Sequence, residues 1–191
     1  MKAVMLSIKP KYCELIASGK KTIEVRKTRP KLETPFKCYI YCTKPKNNAE
    51  VLWTGANCVI GKMSDQSNGK AIGKFVCDKI DKIHIPTELI YEKEVTGFNE
   101  RTLNILNQSC LSYDEIVNYS GCTLNNYDPR KDWLFAWHIS GLVIYDKPKE
   151  LSEFYKHDNT YDNAFGWVFE DRPKKVPIKR PPQSWCYVEE V

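Results

Sequence analysis

"SGKKTIEVRK", residues 18–27, is the stretch on which the reading of this chain turns. Ile23 and Val25 alternate with Thr22, Glu24 and Arg26, which is the period of a strand with one apolar and one polar face. Gly19 ends the segment before it and lets the backbone turn into the strand. Lys21 stands at that turn. Three charges of both signs in so short a strand allow two readings. Either the polar face is solvated and Glu24–Arg26 is a surface pair contributing ~0–1 kcal/mol, or the charges form a site.

Working outward, "KAVMLSI" at 2–8 predicts a first strand. Pro10 stops it and can open a helix. "KYCELIASG", 11–19, places Tyr12, Leu15 and Ile16 at helical spacing before Gly19. The strand over 21–28 ends at Arg29-Pro30, and "FKCYIYCTK", 36–44, predicts a third strand rich in β-prone residues. Residues 45–70 read as a long connection with one apolar island around Val51–Trp53. Strand character returns over 70–85. The segment 97–121 reads as helical, with Ser112 and Glu115 as a capping box for a helix that ends at Gly121. "DWLFAWHISGLVIYD", 132–146, predicts one or two central strands, and "KPKELSEFY" a turn with a short helical piece. A basic, Pro-rich segment at 171–183 reads as an extended arm, and "SWCYVEE" as a closing strand. No repeat or linker interrupts residues 1–191, so one domain is expected. Strands dominate, and short helices lie between them. The expected class is α+β, a mixed and mostly antiparallel sheet curled into a small barrel with helices at its rim.

Composition narrows the function classes. The 191 residues are 42% apolar and 28% charged, an ordinary globular balance. A net charge of +5 permits an anionic partner, and 24 interspersed carboxylates mean that it does not demand one. No signal peptide is visible, and no run approaches the ~20 apolar residues of a membrane span. The expected location is the cytoplasm, where the eight cysteines would be thiols. No Cys-x-x-Cys pair occurs, so no metal is expected. Cys38 and Cys42 share a strand face with Ile40 and read as small core hydrophobes. His84, His138 and His157 are scattered, and His138 reads as a strand residue with a satisfied ring. No phosphate-cradling Gly loop appears, and no cofactor is implied.

The opening stretch resembles the signature of the ASCH domain family, Gly-x-Lys-x-x-Glu-x-Arg after a short helix, here Gly19, Lys21, Glu24 and Arg26. "LSIKPKYCELIASGKKTIEVRK", "CYIYCTKP", "GKFVCDKI", "LVIYDKPKELSEF" and "RPPQSWCYVEE" are similar, in this order, to ASCH proteins of phages and prophages. The resemblance implies a PUA-like fold, a small β-barrel with flanking helices. It also implies RNA or a modified nucleoside as partner, bound in a cleft that carries the signature.

The residue chemistry suits that expectation. Lys21 is a point cation, and Arg26 is a planar fork for a phosphate or base edge. Glu24 can hold Arg26, accept from a ribose or an exocyclic amine, or act as a base. Thr22 adds a hydroxyl. Lys9, Tyr41, Gln183 and Ser184 are further candidates for ligand binding, although Gln183 and Ser184 equally suit pinning the last strand. If the 171–183 segment folds beside 9–31, the two make one basic rim.

Whether the chain is an enzyme stays open. The resemblance includes amidohydrolases acting on acetylated cytidine nucleosides, whose motif is matched by Lys21 but carries Thr where this chain has Glu24. No secure match to their downstream Glu is visible; Glu100 and Glu115 lie some way off. Glu24 as general base with Lys21 stabilising an oxyanion is another route to hydrolysis. A metal-independent ribonuclease and a non-catalytic phage accessory protein that binds a protein partner are the remaining classes.

Overall fold

The structure, a computed structural model, describes residues 1–44, 67–85, 99–121, 133–158 and 174–191. Most of the expected connection at 45–70 lies outside the described residues, as do Cys58, Cys122 and positions 171–173 of the basic segment. Among the described residues the chain is mixed α+β, with more strands than helices. The elements are β1 (Lys2–Ile8), α1 (Pro10–Ala17), β2 (Ile23–Arg26), β3 (Phe36–Cys42), β4 (Ala71–Cys77), β5 (Ile80–His84), α2 (Glu100–Ser109), α3 (Tyr113–Ser120), β6 (Trp133–His138), β7 (Ser140–Lys149), β8 (Tyr155–Asp158), β9 (Lys174–Pro177) and β10 (Trp185–Glu189). A short 3-10 turn spans Leu151–Glu153. The strands fall into a five-stranded sheet, β10-β1-β3-β4-β7, a three-stranded sheet, β2-β6-β5, and the pair β8-β9. No closed barrel is traced among the described residues.

Two compact units divide the chain. One comprises Met1–Pro10, Lys37–Lys74 and Val143–Val191. Its first strand pairs antiparallel with β10, Lys2 opposite Glu189, and parallel with β3, Val4 opposite Cys38. Ala3, Met5, Tyr39, Tyr41, Phe154, Ile178 and Val188 are among its core. Gly73 in β4 has a packing reason, since a Cβ there would come within 2.5 Å of the Val143 carbonyl oxygen. The expected arm is a strand instead: β9 pairs antiparallel with β8, and Lys175 reaches Glu189 at 2.7 Å.

The other unit comprises Lys11–Phe36 and Phe75–Leu142. Here β6 is the central strand, antiparallel to β2 (Glu24 opposite Trp137) and to β5 (Asp81 opposite Ala136). Opposed residues share a face. One face carries Ile23, Val25, Ile83, Leu134 and Ala136, which pack with Ile105 and Leu106 of α2 and Ile116 of α3. Burying that apolar stripe is what seats the two helices on the sheet. Both are capped as their sequence directs. The Asn99 side chain accepts from the Thr102 amide, and Ser112 and Glu115 form the expected capping box. Gly121 ends α3 at φ 78°, a left-handed conformation that favours glycine. A buried carboxylate, Asp81, knits three elements together. It accepts from His138 at 2.8 Å, Lys79 at 2.9 Å and Arg101 at 2.5 Å. His138 is thus the strand residue expected, with its ring engaged.

Candidate functional site

The signature residues lie in the second unit; Lys21 precedes β2, and the strand carries Glu24 and Arg26 on the face other than that of Ile23 and Val25. The strand, Ile23–Arg26, is shorter than the 21–28 expected, and at its start the backbone amides bond elsewhere. The Lys21 amide donates to the Leu15 carbonyl, and the Thr22 amide to that of Gln108. Gly19 makes the turn at φ 73° with open space around its Cβ position, so conformation rather than crowding requires it.

The solvated-edge alternative is wrong. Lys21, Glu24 and Arg26 are 2%, 7% and 6% exposed. The Glu24 carboxylate is shared: Oε2 lies 3.3 Å from Lys21 Nζ, and Oε1 lies 3.0 Å from Arg26 Nη2. Lys21 also donates to the Ser109 carbonyl at 2.6 Å. That carbonyl belongs to the last residue of α2, where the helix dipole favours a cation. The Tyr12 ring stands 5.2 Å from the same ammonium. Arg26 hydrogen-bonds to the Tyr119 hydroxyl of α3, and Trp137, fully buried, stands opposite Glu24.

Glu115, distant in sequence, is brought close. Its Oε1 accepts from Tyr12 at 3.1 Å and from Lys11 at 3.0 Å, and its other oxygen caps α3 through the Ser112 amide. Those donors, the Ser112 amide first, hold the Glu115 carboxyl down at about 2. Burial, then the Glu115 charge and hydrogen bond, push the Tyr12 phenol up to about 12. Tyr12 is therefore a neutral donor at physiological pH. Lys21 and Arg26 against Glu24 leave one positive charge in excess, and Lys11 with Glu115 adds none. The cluster can hold an anion or a polarised carbonyl, with Glu24 fixing both cations.

Thr22 is exposed; its hydroxyl donates to Gln108 Oε1 at 3.2 Å. The other candidates belong to the first unit. Lys9 is exposed between β1 and α1. Tyr41 is buried in β3, and burial raises its phenol pKa. Ser184 accepts from the Ser7 amide at 3.0 Å, and Pro182 from the Ser7 hydroxyl at 2.6 Å, which pins the approach to β10. Gln183 between them is exposed. Sequence reasoning missed Ser109, Tyr119 and Glu115 as neighbours of the signature. Only the Ser112–Glu115 capping box gave a signal, and it spoke of helix structure. Among the described residues no group of three metal-ligating side chains forms, and no helix is long and apolar enough to cross a membrane.

Known proteins give the cluster a context. No curated protein matches the chain. Among solved structures, the crystal structure of ASCH from Zymomonas mobilis is similar with a TM-score of 0.50 at 15% identity, over 98% of this chain and 88% of that one. A single-substitution mutant of that protein gives a TM-score of 0.53 at 16% identity, over 98% and 89%. At such identities the likeness speaks for the fold alone. The sequence pattern of the ASCH domain matches residues 6–140, a range that contains the whole buried cluster. With that match over most of its length, the chain belongs to the ASCH domain family.

Proposed function

We propose that this protein binds RNA or a modified nucleoside in a cleft whose floor carries Lys21, Glu24 and Arg26, within a PUA-like, single-domain frame. The burial of that trio carries the reading. Desolvating three charges is costly, and a buried ion cluster is a poor way to gain stability compared with apolar packing. A surplus positive charge, an arginine fork and a neutral phenol are instead the groups that position a phosphate and read polar edges. Thr22, in the same unit, is proposed as a further contact.

A second reading rests on the contact between Lys21 and Glu24. A carboxylate beside an ammonium suits a general base with an oxyanion donor, hence metal-independent hydrolysis of an acetylated cytidine nucleoside or of RNA.

Fluorescence anisotropy with a labelled RNA pool tests binding. Affinity should fall as salt rises. Lys21→Ala and Arg26→Ala should each weaken it about tenfold or more, with cooperative unfolding retained. Equal binding by all three proteins removes the site. Chromatography of the same incubations, with acetylcytidine added, tests the second reading. Turnover abolished by Glu24→Gln establishes it, and absence of product with either substrate ends it.

A further inference from the structure

The face of the β2-β6-β5 sheet that carries Glu24 and Arg26 does not end at them. In register, Arg26 lies opposite Phe135, and Phe135 opposite Lys82; one step along, Trp133 lies opposite His84. All of these side chains emerge on one face. Burial changes along it. Glu24 and Trp137 are buried at one end, Phe135 is half-buried, and Trp133, Lys82 and His84 are exposed at the other. Exposed and buried residues alternate along β5, so its outward positions, Lys82 and His84, face water.

Trp133 is 36% exposed, an uncommon place for so large an apolar ring. It is held in position: Lys82 Nζ lies 3.7 Å from its ring centroid, and the His84 ring centroid lies 4.7 Å away. The result is an aromatic surface with a cation on it, continuous by register with the signature residues. Single-stranded nucleic acid is held by that combination, with bases on aromatic faces and phosphates on nearby cations. A duplex offers no free base to such a surface.

We infer that the Trp133–Phe135 face, with Lys82 and His84, is a stacking platform for an unpaired base of single-stranded RNA, adjoining the Lys21–Glu24–Arg26 cluster. The inference deepens the RNA reading above and rests on it. The Lys82 ammonium would leave the indole for a phosphate as the base arrives. The cluster would then position one part of the strand while the platform holds the next.

The test compares an unstructured RNA octamer with a duplex of the same sequence, using the full chain and its variants. Trp133→Ala should lose about tenfold or more in octamer affinity, within the range of one lost stacking contact. Trp133→Phe should restore most of it, and the duplex should bind more weakly than the octamer. Lys82→Ala should reduce the slope of log affinity against log salt by about 0.7, the value for one phosphate on a single strand. Unchanged octamer affinity in folded Trp133→Ala, with Lys21→Ala still impaired, overturns the platform and leaves the cluster standing. If wild type binds no RNA, the cluster reading fails first. The platform is then decided by titrating a nucleoside monophosphate against the Trp133 indole N–H resonance, identified by its loss in Trp133→Phe. A saturable shift keeps the platform, and a fixed resonance overturns it.

Discussion

Two cations share the carboxylate of Glu24, and that asymmetry sets what each substitution does. Removing Glu24 leaves Lys21 and Arg26 buried with no anion between them. Removing Lys21 leaves Glu24 still paired with Arg26. Glu24→Ala should therefore destabilise by about 3–5 kcal/mol, the usual cost of an uncompensated buried charge. Lys21→Met, whose side chain fills a similar space, should cost less than half as much. Urea unfolding of both variants checks the order, and equal losses would mean that Arg26 does not neutralise Glu24. The sequence showed these three residues and their alternation; it did not show that they are buried. What covers the polar face comes from far along the chain: Trp137 of β6, Tyr119 of α3 and the end of α2. An edge strand in water and a buried strand can share one alternating pattern, because alternation reports two different faces and not what lies over each.

At the scale of elements, Asp81 does for β5, β6 and α2 what a covalent link would do elsewhere. Burial pushes its carboxyl up, but hydrogen bonds from Lys79, His138 and Arg101 outweigh that and hold it at about 2, below the ordinary 3.8. A depressed carboxyl stabilises the fold fully above its unfolded value, and that contribution drains away as pH falls toward the folded one. The chain should lose about 1–2 kcal/mol through this group between about pH 4 and pH 2, a range discounted because Lys79 and Arg101 keep their outer sides in water. Asp81→Asn should flatten the stability profile across that window. Urea midpoints at successive pH values measure it, and parallel profiles for the two proteins would remove Asp81 from the account. No motif marked this staple, since its members are separated in sequence and each is ordinary alone. Other elements were plainly legible. Strand 2–8, the Ser112–Glu115 cap and the glycine stops at 19 and 121 follow from local chemistry, and local chemistry is what a sequence carries best. The turn expected at Lys147-Pro148 is instead the end of β7. That strand lies at a sheet edge, where a proline's missing N–H costs little.

For the molecule as a whole, the mixed class and most of the strands could be read in advance, while β8, β9 and the partners of each strand could not. A strand's partner is chosen by where the intervening chain returns, and the pattern of a single strand does not encode that. The same limit hid the platform: Trp133 and His84 become neighbours only once β5 and β6 pair. The pairing of β1 with β10 joins residues near the two ends of the sequence, Lys2 with Glu189. On the ribosome, β1 must therefore wait for β10. It emerges with Val4, Met5 and Leu6, which are fully buried in the folded protein, and has its parallel partner β3 within reach long before β10 is translated. During synthesis β1 is an unfinished edge, able to capture another nascent copy. Stalling translation before Trp185 is added should leave this region open to protease in a ribosome-bound chain, and release of a chain that carries β10 should close it.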